Sequence, residues 1–164
     1  MIVVADTSVI LNLALVGQAE LLAVLFREVL VPPSVGSEFA RLAESHGRFA
    51  GLRLPAWARV QEPAAIPAAL AFHGELHPGE TEALALALEI HADGVLIDEA
   101  AGRAVALELG LTPIGVLGIL VRAKRHGQLS AVEPVIKALI ERALFRVAPE
   151  LVREVLRLAD ELQT

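Results

Sequence analysis

Short apolar runs and longer amphipathic segments take turns along the chain. Ile2-Val3-Val4-Ala5, Glu28-Val29-Leu30-Val31 and Gly94-Val95-Leu96-Ile97 are brief and mostly β-branched or aliphatic, which suits strands covered on both faces. Leu111-Thr112-Pro113-Ile114 predicts a fourth strand, and Pro113 consigns it to an edge or a strand end. Between the strands the period lengthens. Helices are predicted over 9–14, 18–26, from Pro33 and Ser34 to about Ser45, from His77-Pro78-Gly79-Glu80 to about His91, over 100–109 up to Gly110, and over 117–126 up to Gly127. Residues 47–78 are irregular and rich in Gly and Pro, with a short strand at 58–61 and a short helix at 66–72 as the expected islands. Two more amphipathic helices are expected at 131–143 and 149–162. Strands alternating with helices predict an α/β protein with a central parallel sheet of four to five strands flanked by helices. In such sheets ligands bind beyond the carboxyl ends of the strands.

Composition narrows the classes. The 164 residues fit one domain, and 55% hydrophobic content excludes disorder. The chain has no cysteine, so disulfides, thiol catalysis and thiolate-bound metals are excluded. It also lacks tyrosine, and an aromatic content of 4% argues against a base-stacking platform for single strands. Charged residues interrupt every window long enough to span a bilayer. Met1 to Asp6 lacks the basic start of a secretory signal. The expectation is a soluble cytoplasmic protein. A net charge of −6 says little for nucleic-acid binding and leaves the matter to local charge.

Local charge is informative at the strand ends. Asp6 closes the first strand, and Asp98 with Glu99 closes the third. Glu80 opens the helix leading into that third strand, and Glu38 lies about one turn into the helix after the second. Carboxylates drawn together repel, so such a group calls for protons or a hard divalent cation. Each acid alone also has a plainer reading: Asp6-Thr7-Ser8 as a helix cap, Glu80 as a first-turn acid, Glu38 as a solvated helix residue. Glu99 reads as a ligand, a support behind the ligands, or a cap. Glu82, Glu89 and Glu108 are expected to face solvent, and His77 to serve a turn. Arg122, Lys124, Arg125 and His126 form the one basic cluster, read either as complementing a helix dipole or as a contact to a phosphate backbone. The second Asp of a haloacid-dehalogenase-type phosphatase, the dinucleotide glycines, the P-loop and the nucleophile elbow are all missing.

Taken in order, Ile2-Val3-Val4-Ala5-Asp6-Thr7-Ser8 with Asn12, Val31-Pro32-Pro33-Ser34-Val35 through Glu38, His77-Pro78-Gly79-Glu80-Thr81-Glu82-Ala83-Leu84-Ala85-Leu86-Ala87, Val95-Leu96-Ile97-Asp98-Glu99 with Arg103, and Gly115-Val116-Leu117-Gly118-Ile119-Leu120 followed by Ala123-Lys124 resemble the PIN-domain nucleases. The likeness is to a prokaryotic PIN-like branch related to VapC-type toxins, and it spans nearly the whole chain. It implies a PIN-like fold at 1–128 with a C-terminal helical extension at 129–164, packed on the same domain or on a dimer mate. It further implies a Mg²⁺- or Mn²⁺-dependent ribonuclease whose acidic quartet is Asp6, Glu38, Glu80 and Asp98, with Ser8 as the accompanying polar residue and Glu99 as an added metal-ligand candidate. An RNA substrate, a small antitoxin protein and a homodimer are the implied partners. Three positions depart from the pattern: Glu80 stands where toxin relatives generally carry Asp, Val116 where a hydroxyl residue is common, and Gly36 where a bulkier residue is usual. The rival reading is a PIN-like binding module whose metal site is weak or unused. Leu21, Leu22, Leu25 and Phe26, and the face of Leu151, Val155, Leu158 and Leu162, read first as core and otherwise as docking surfaces.

Overall fold

A computed structural model describes residues 1–45 and 47–162. Within them β1 (Ile2–Ala5), β2 (Glu28–Val31), β3 (Ala58–Val60), β4 (Gly94–Leu96) and β5 (Pro113–Ile114) form one sheet in the order β3-β2-β1-β4-β5. Every pairing is parallel. The helices are α1 (Thr7–Leu15), α2 (Glu20–Leu25), α3 (Pro33–Ala43), α4 (Ala68–Ala71), α5 (Pro78–Glu89), α6 (Ala100–Glu108), α7 (Val116–Arg125), α8 (Glu133–Arg142) and α9 (Pro149–Leu158). The predicted elements are all present. α1 starts two residues earlier than its apolar pattern suggested, because Asp6 keeps extended backbone angles and the helix opens at Thr7. Pro113 sits in the outermost strand, where no second neighbour requires its missing N–H.

Strand side chains alternate strictly between two cores. Val3, Ala5, Val29, Val31 and Leu96 join one cluster; Val4, Leu30, Val95 and Ile97 join the other. All but Val29 and Leu30 are wholly inaccessible, and those two nearly so, as expected for parallel strands covered on both sides. The first core takes in α1, α2, α3 and α7 through Val9, Leu22, Phe39 and Ile119, and also α8 and α9 through Leu139 and Val155. The second is closed by α4, α5 and α6 through Leu70, Leu84 and Val105. α5 is apolar on every side from Ala83 to Ala87, so it lies inside its layer rather than on it. Leu21, Leu22 and Phe26 are core, with Leu25 packed at its margin. Among the described residues no helix is long and apolar enough to cross a membrane.

The strand order reverses beside β1. The chain leaves it toward β2 and β3, then returns to the other side as β4 and β5. That switch point opens a crevice at the carboxyl ends of β1 and β4.

Because Leu139 is wholly buried among residues of β1, α1 and α7, Leu139→Ala is expected to cost about 2–5 kcal/mol. Ile140→Ala, on the exposed side of the same helix, should cost less than about 0.5 kcal/mol. Urea unfolding followed by circular dichroism checks both; a Leu139→Ala curve matching wild type would mean that α8 contributes nothing to the main core.

Candidate functional site

Parallel pairing explains where the acids stand. β1 and β4 align Val4 with Val95 and Ala5 with Leu96, and Asp6 N–H continues the ladder to the Leu96 carbonyl at 2.9 Å. Asp6 is therefore level with Ile97, and Asp98 lies one residue further on. A one-residue step in a strand sends the side chain to the opposite face. Asp6 accordingly meets the α5 side and Asp98 the α7 side. The sequence placed both carboxylates at strand tips correctly, but they do not share one pocket.

Asp6, Glu80 and Glu38 form the first group. Asp6 is buried at the N-cap of α1, yet its side chain makes no capping hydrogen bond, so the plain capping role does not hold it there. Burial chiefly pushes its carboxyl up to about 6; the adjacent Thr7 amide opposes this, while the charges of Glu80 and Glu38 add to it and that of His77 opposes it. Glu80 is 2% exposed. One of its oxygens accepts the His77 N–H at 3.1 Å, the reciprocal half of a capping box. Its other oxygen, Oε2, has no partner. Glu38 reaches in from α3 and accepts the Thr7 hydroxyl at 2.7 Å. Asp6, Glu38, Thr7 and Ser8 line a cleft of about 730 Å³ that also includes His77 and Arg41.

Asp98 and Arg103 form the second group. Asp98 Oδ1 accepts the Val116 N–H at 3.0 Å, where α7 begins, and Oδ2 is buried without a partner. Burial raises the Asp98 carboxyl above its ordinary value; the Val116 amide and Arg103 partly offset this, and Glu99 reinforces it. Arg103 Nη1 donates to the Ile97 carbonyl at 3.1 Å, bracing the end of β4. Asp98 opens into a second cleft, of about 890 Å³. Ser8 and Glu99 border both clefts, so they mark where the two meet. Glu99 stands exposed at the N-cap of α6 without a capping side-chain bond.

Three buried side-chain oxygens lack hydrogen-bond partners among the described residues, Ser8 Oγ, Glu80 Oε2 and Asp98 Oδ2, and all belong to this end of the sheet. Buried polar atoms are rarely left unpaired, so each of these oxygens has room in its bonding for a water or an ion. Glycines make the room. A Cβ on Gly79 would stand 3.2 Å from Asp6 Oδ1, and one on Gly115 would stand 2.6 Å from Asp98 Oδ1. One on Gly102 would collide with Glu80 Oε2 and Ile97. Sequence reasoning missed these glycines. Gly102, alone in the otherwise alanine-rich start of α6, was the available signal. Glu82 corrects an expectation: it does not simply face solvent, because its carboxylate accepts both the Ser34 N–H and the Ser34 hydroxyl, tying α5 to the start of α3.

Among the described residues no three His, Asp or Glu side chains are gathered tightly enough to hold a metal unaided. The donors nonetheless fit a hard cation in kind: they are all oxygen, and several are unpartnered. Mg²⁺ commonly uses only one or two carboxylates and keeps several waters.

Fold and site together define an α/β protein with an acid-lined crevice at a topological switch point. A PIN-domain family model matches residues 2–161, and the chain belongs to that family. PIN domains are generally nucleases and typically use divalent metals. No curated protein and no solved structure matches the chain.

Two predictions follow from the buried charge and its glycines. In chelator, folded Asp6 holds its proton to about pH 6 whereas the unfolded chain releases it near 3.8, so stability should fall as pH rises between those values. From pH 4.5 to 7.5 the loss attributable to Asp6 is about 2 kcal/mol, and Asp6→Asn should remove it. Urea midpoints at the two pH values, in EDTA, test this; an unchanged slope in the variant would show that Asp6 is not the source. Gly102→Ala gains up to about 1 kcal/mol of helix propensity but forces a side chain into Glu80 and Ile97, an overpacking that costs about 1–3 kcal/mol. A net loss in melting temperature is expected there. Gly36→Ala, which meets nothing within 4 Å, should show a gain.

Proposed function

We propose that this chain is a Mg²⁺- or Mn²⁺-dependent endoribonuclease. The single observation that carries the reading is the set of unpartnered buried oxygens on Ser8, Glu80 and Asp98, at the switch point of a PIN-domain fold. Asp6 and Glu80 would hold the cation from the α5 side and Asp98 from the α7 side, with Glu38 and Glu99 as further oxygen donors at the rim. When bound, such an ion stabilises charge on a phosphodiester and lowers the pKa of a coordinated water.

The protein groups have separate tasks. Thr7 holds Glu38 in place by its hydroxyl, and His77 N–H fixes Glu80 so that Oε2 alone remains free. Val116 N–H does the same for Asp98, leaving Oδ2. Ser8 Oγ, without a partner at the junction of the clefts, is placed to donate to a phosphate oxygen crossing from one to the other. The raised pKa of Asp6 makes its ionisation pH-dependent below neutrality, so cation affinity should strengthen as pH climbs through about 6.

As finer elements of the same reading we assign the protein to the cytoplasm, as the toxin of a toxin–antitoxin pair acting as a homodimer with a small antitoxin as its protein partner. Residues 1–128 would be the catalytic domain and 129–164 its helical extension. A second reading, a PIN-like binding module without catalysis, is favoured by one observation, the lack of a ready three-acid cluster among the described residues.

The two readings diverge under Mn²⁺ calorimetry paired with cleavage of a structured RNA. The nuclease reading expects wild-type binding and cleavage, with Asp6→Asn or Asp98→Asn lowering cleavage at least about 100-fold, on the scale of losing a group that stabilises transition-state charge. Cleavage persisting in the purified double variant would sink the assignment. A wild type that binds no Mn²⁺ would favour the binding module.

A further inference from the structure

The second cleft holds more than the Asp98 carboxylate. Its far wall is made by the connection from α8 to α9 and by α9 itself, so the C-terminal segment helps build it. Three arginines line it: Arg103, Arg125 and Arg146. No carboxylate within salt-bridge distance of any of them is found among the described residues, although acids outnumber bases in the chain. The basic cluster at the end of α7 divides here. Arg122 turns to Met1 and the Phe26 ring, and Lys124 turns to Ser130 and Glu161. Arg125 faces the cleft, and among the described residues its side chain donates one hydrogen bond, to the Leu158 carbonyl at 3.3 Å.

The rim carries a strained residue. Leu144, just past α8, has φ of +54°, in the left-handed region that glycine normally fills after a helix. Among the described residues the other non-glycine positions with positive φ are His91 and Asp160, polar types that tolerate it better. Leu144 is the bulky exception. It is 61% exposed and lines the cleft beside Phe145 and Arg146. An apolar side chain kept exposed on a strained backbone does nothing for packing; it presents a surface to something that enters.

We propose that this cleft is the track for a single strand of RNA leading to Asp98, with the C-terminal helical segment as its outer wall. Arg125 and Arg146 contact successive phosphates, and Leu144 and Phe145 lie against bases or sugars. Guanidinium groups and exposed apolar surface side by side on one wall suit an unpaired strand, whose phosphates and bases are both within reach. Phosphates on the arginines supply the charge complement that the protein's own acids do not. The inference rests on the nuclease reading and extends it to the substrate's path.

The test is fluorescence anisotropy of a labelled twelve-nucleotide oligouridylate, titrated with full-length protein in EDTA over a range of KCl. Cleavage of the same oligomer in Mn²⁺ runs alongside. Arg125→Ala/Arg146→Ala is expected to weaken binding about tenfold and to flatten the dependence on log salt by about 1.4, at 0.7 per lost phosphate contact. Leu144→Gly should weaken binding several-fold while leaving the salt slope unchanged and raising the melting temperature. Arg53→Ala, outside both clefts, should bind as wild type. A folded double-arginine variant that binds within twofold of wild type with the same slope overturns the inference, as does a wild type that does not bind. A groove that loses nothing on arginine removal belongs to an apolar occupant such as a partner helix. If the acid variants lose cleavage while the arginine variants bind and cut normally, the nuclease reading stands and the track falls. If the arginines govern binding and no cation-dependent cleavage occurs, the track stands and the nuclease reading falls.

Discussion

The structure depends on carboxylates that the fold buries without neutralising. Asp6 and Glu80 are almost wholly enclosed, and among the described residues neither pairs with a lysine or arginine. Removing a carboxylate from water costs several kcal/mol unless something compensates. Here the backbone compensates partly, the His77 amide for Glu80 and the Val116 amide for Asp98, and each amide leaves one oxygen of its acid unanswered. The two apolar cores supply the stability that lets this end of the sheet remain unfavourable. A molecule optimised only to fold would place asparagine or leucine there.

Register turns that constraint into a layout. Because Asp98 is one residue out of step with Asp6 across a parallel ladder, the acids divide between the two faces of the sheet. The division yields two clefts rather than one, joined at Ser8 and Glu99. It also keeps Asp98 apart from Asp6, Glu38 and Glu80, and among the described residues no three acids are gathered closely enough to hold a metal. On the proposed nuclease reading, a phosphodiester crossing the sheet edge would touch both groups, and cation and substrate would bind better together than singly. Such mutual dependence is reciprocal by linkage.

Much of this was legible in the residue order. Apolar β-branched runs and Pro113 specified the strands, and the alternation of strands and helices specified parallel pairing, because these signals are local and periodic. Asp6 and Asp98 were visible as acids closing apolar runs. The side each acid faces was not visible, since that depends on pairing register between segments about ninety residues apart. Glu82 was misplaced for a related reason: its partner, Ser34, lies 48 residues away and leaves no mark near Glu82. The glycines that admit the acids were equally silent, because a glycine inside a helix advertises only lost propensity, and its purpose is a contact across the fold. The likeness to PIN domains supplied Arg103; its brace on the Ile97 carbonyl came only from geometry.

Charge balance links the two clefts in function. With a net charge of −6, the protein repels a polyanion at long range, so encounter steering is weak and retention must come from close contacts. The acid group alone would repel a phosphate; the arginine-lined side alone would bind it without cutting. Arg125 and Arg146 line the Asp98 cleft and not the cleft of Asp6 and Glu38, and among the described residues neither arginine forms an ion pair that would spend its charge internally. Arg103 is the cation whose charge Asp98 feels, and its hydrogen bond goes to a backbone carbonyl instead of to the carboxylate. On the proposed reading the arrangement would preserve an anionic pocket for a cation and a cationic wall for a strand within one short edge of the sheet.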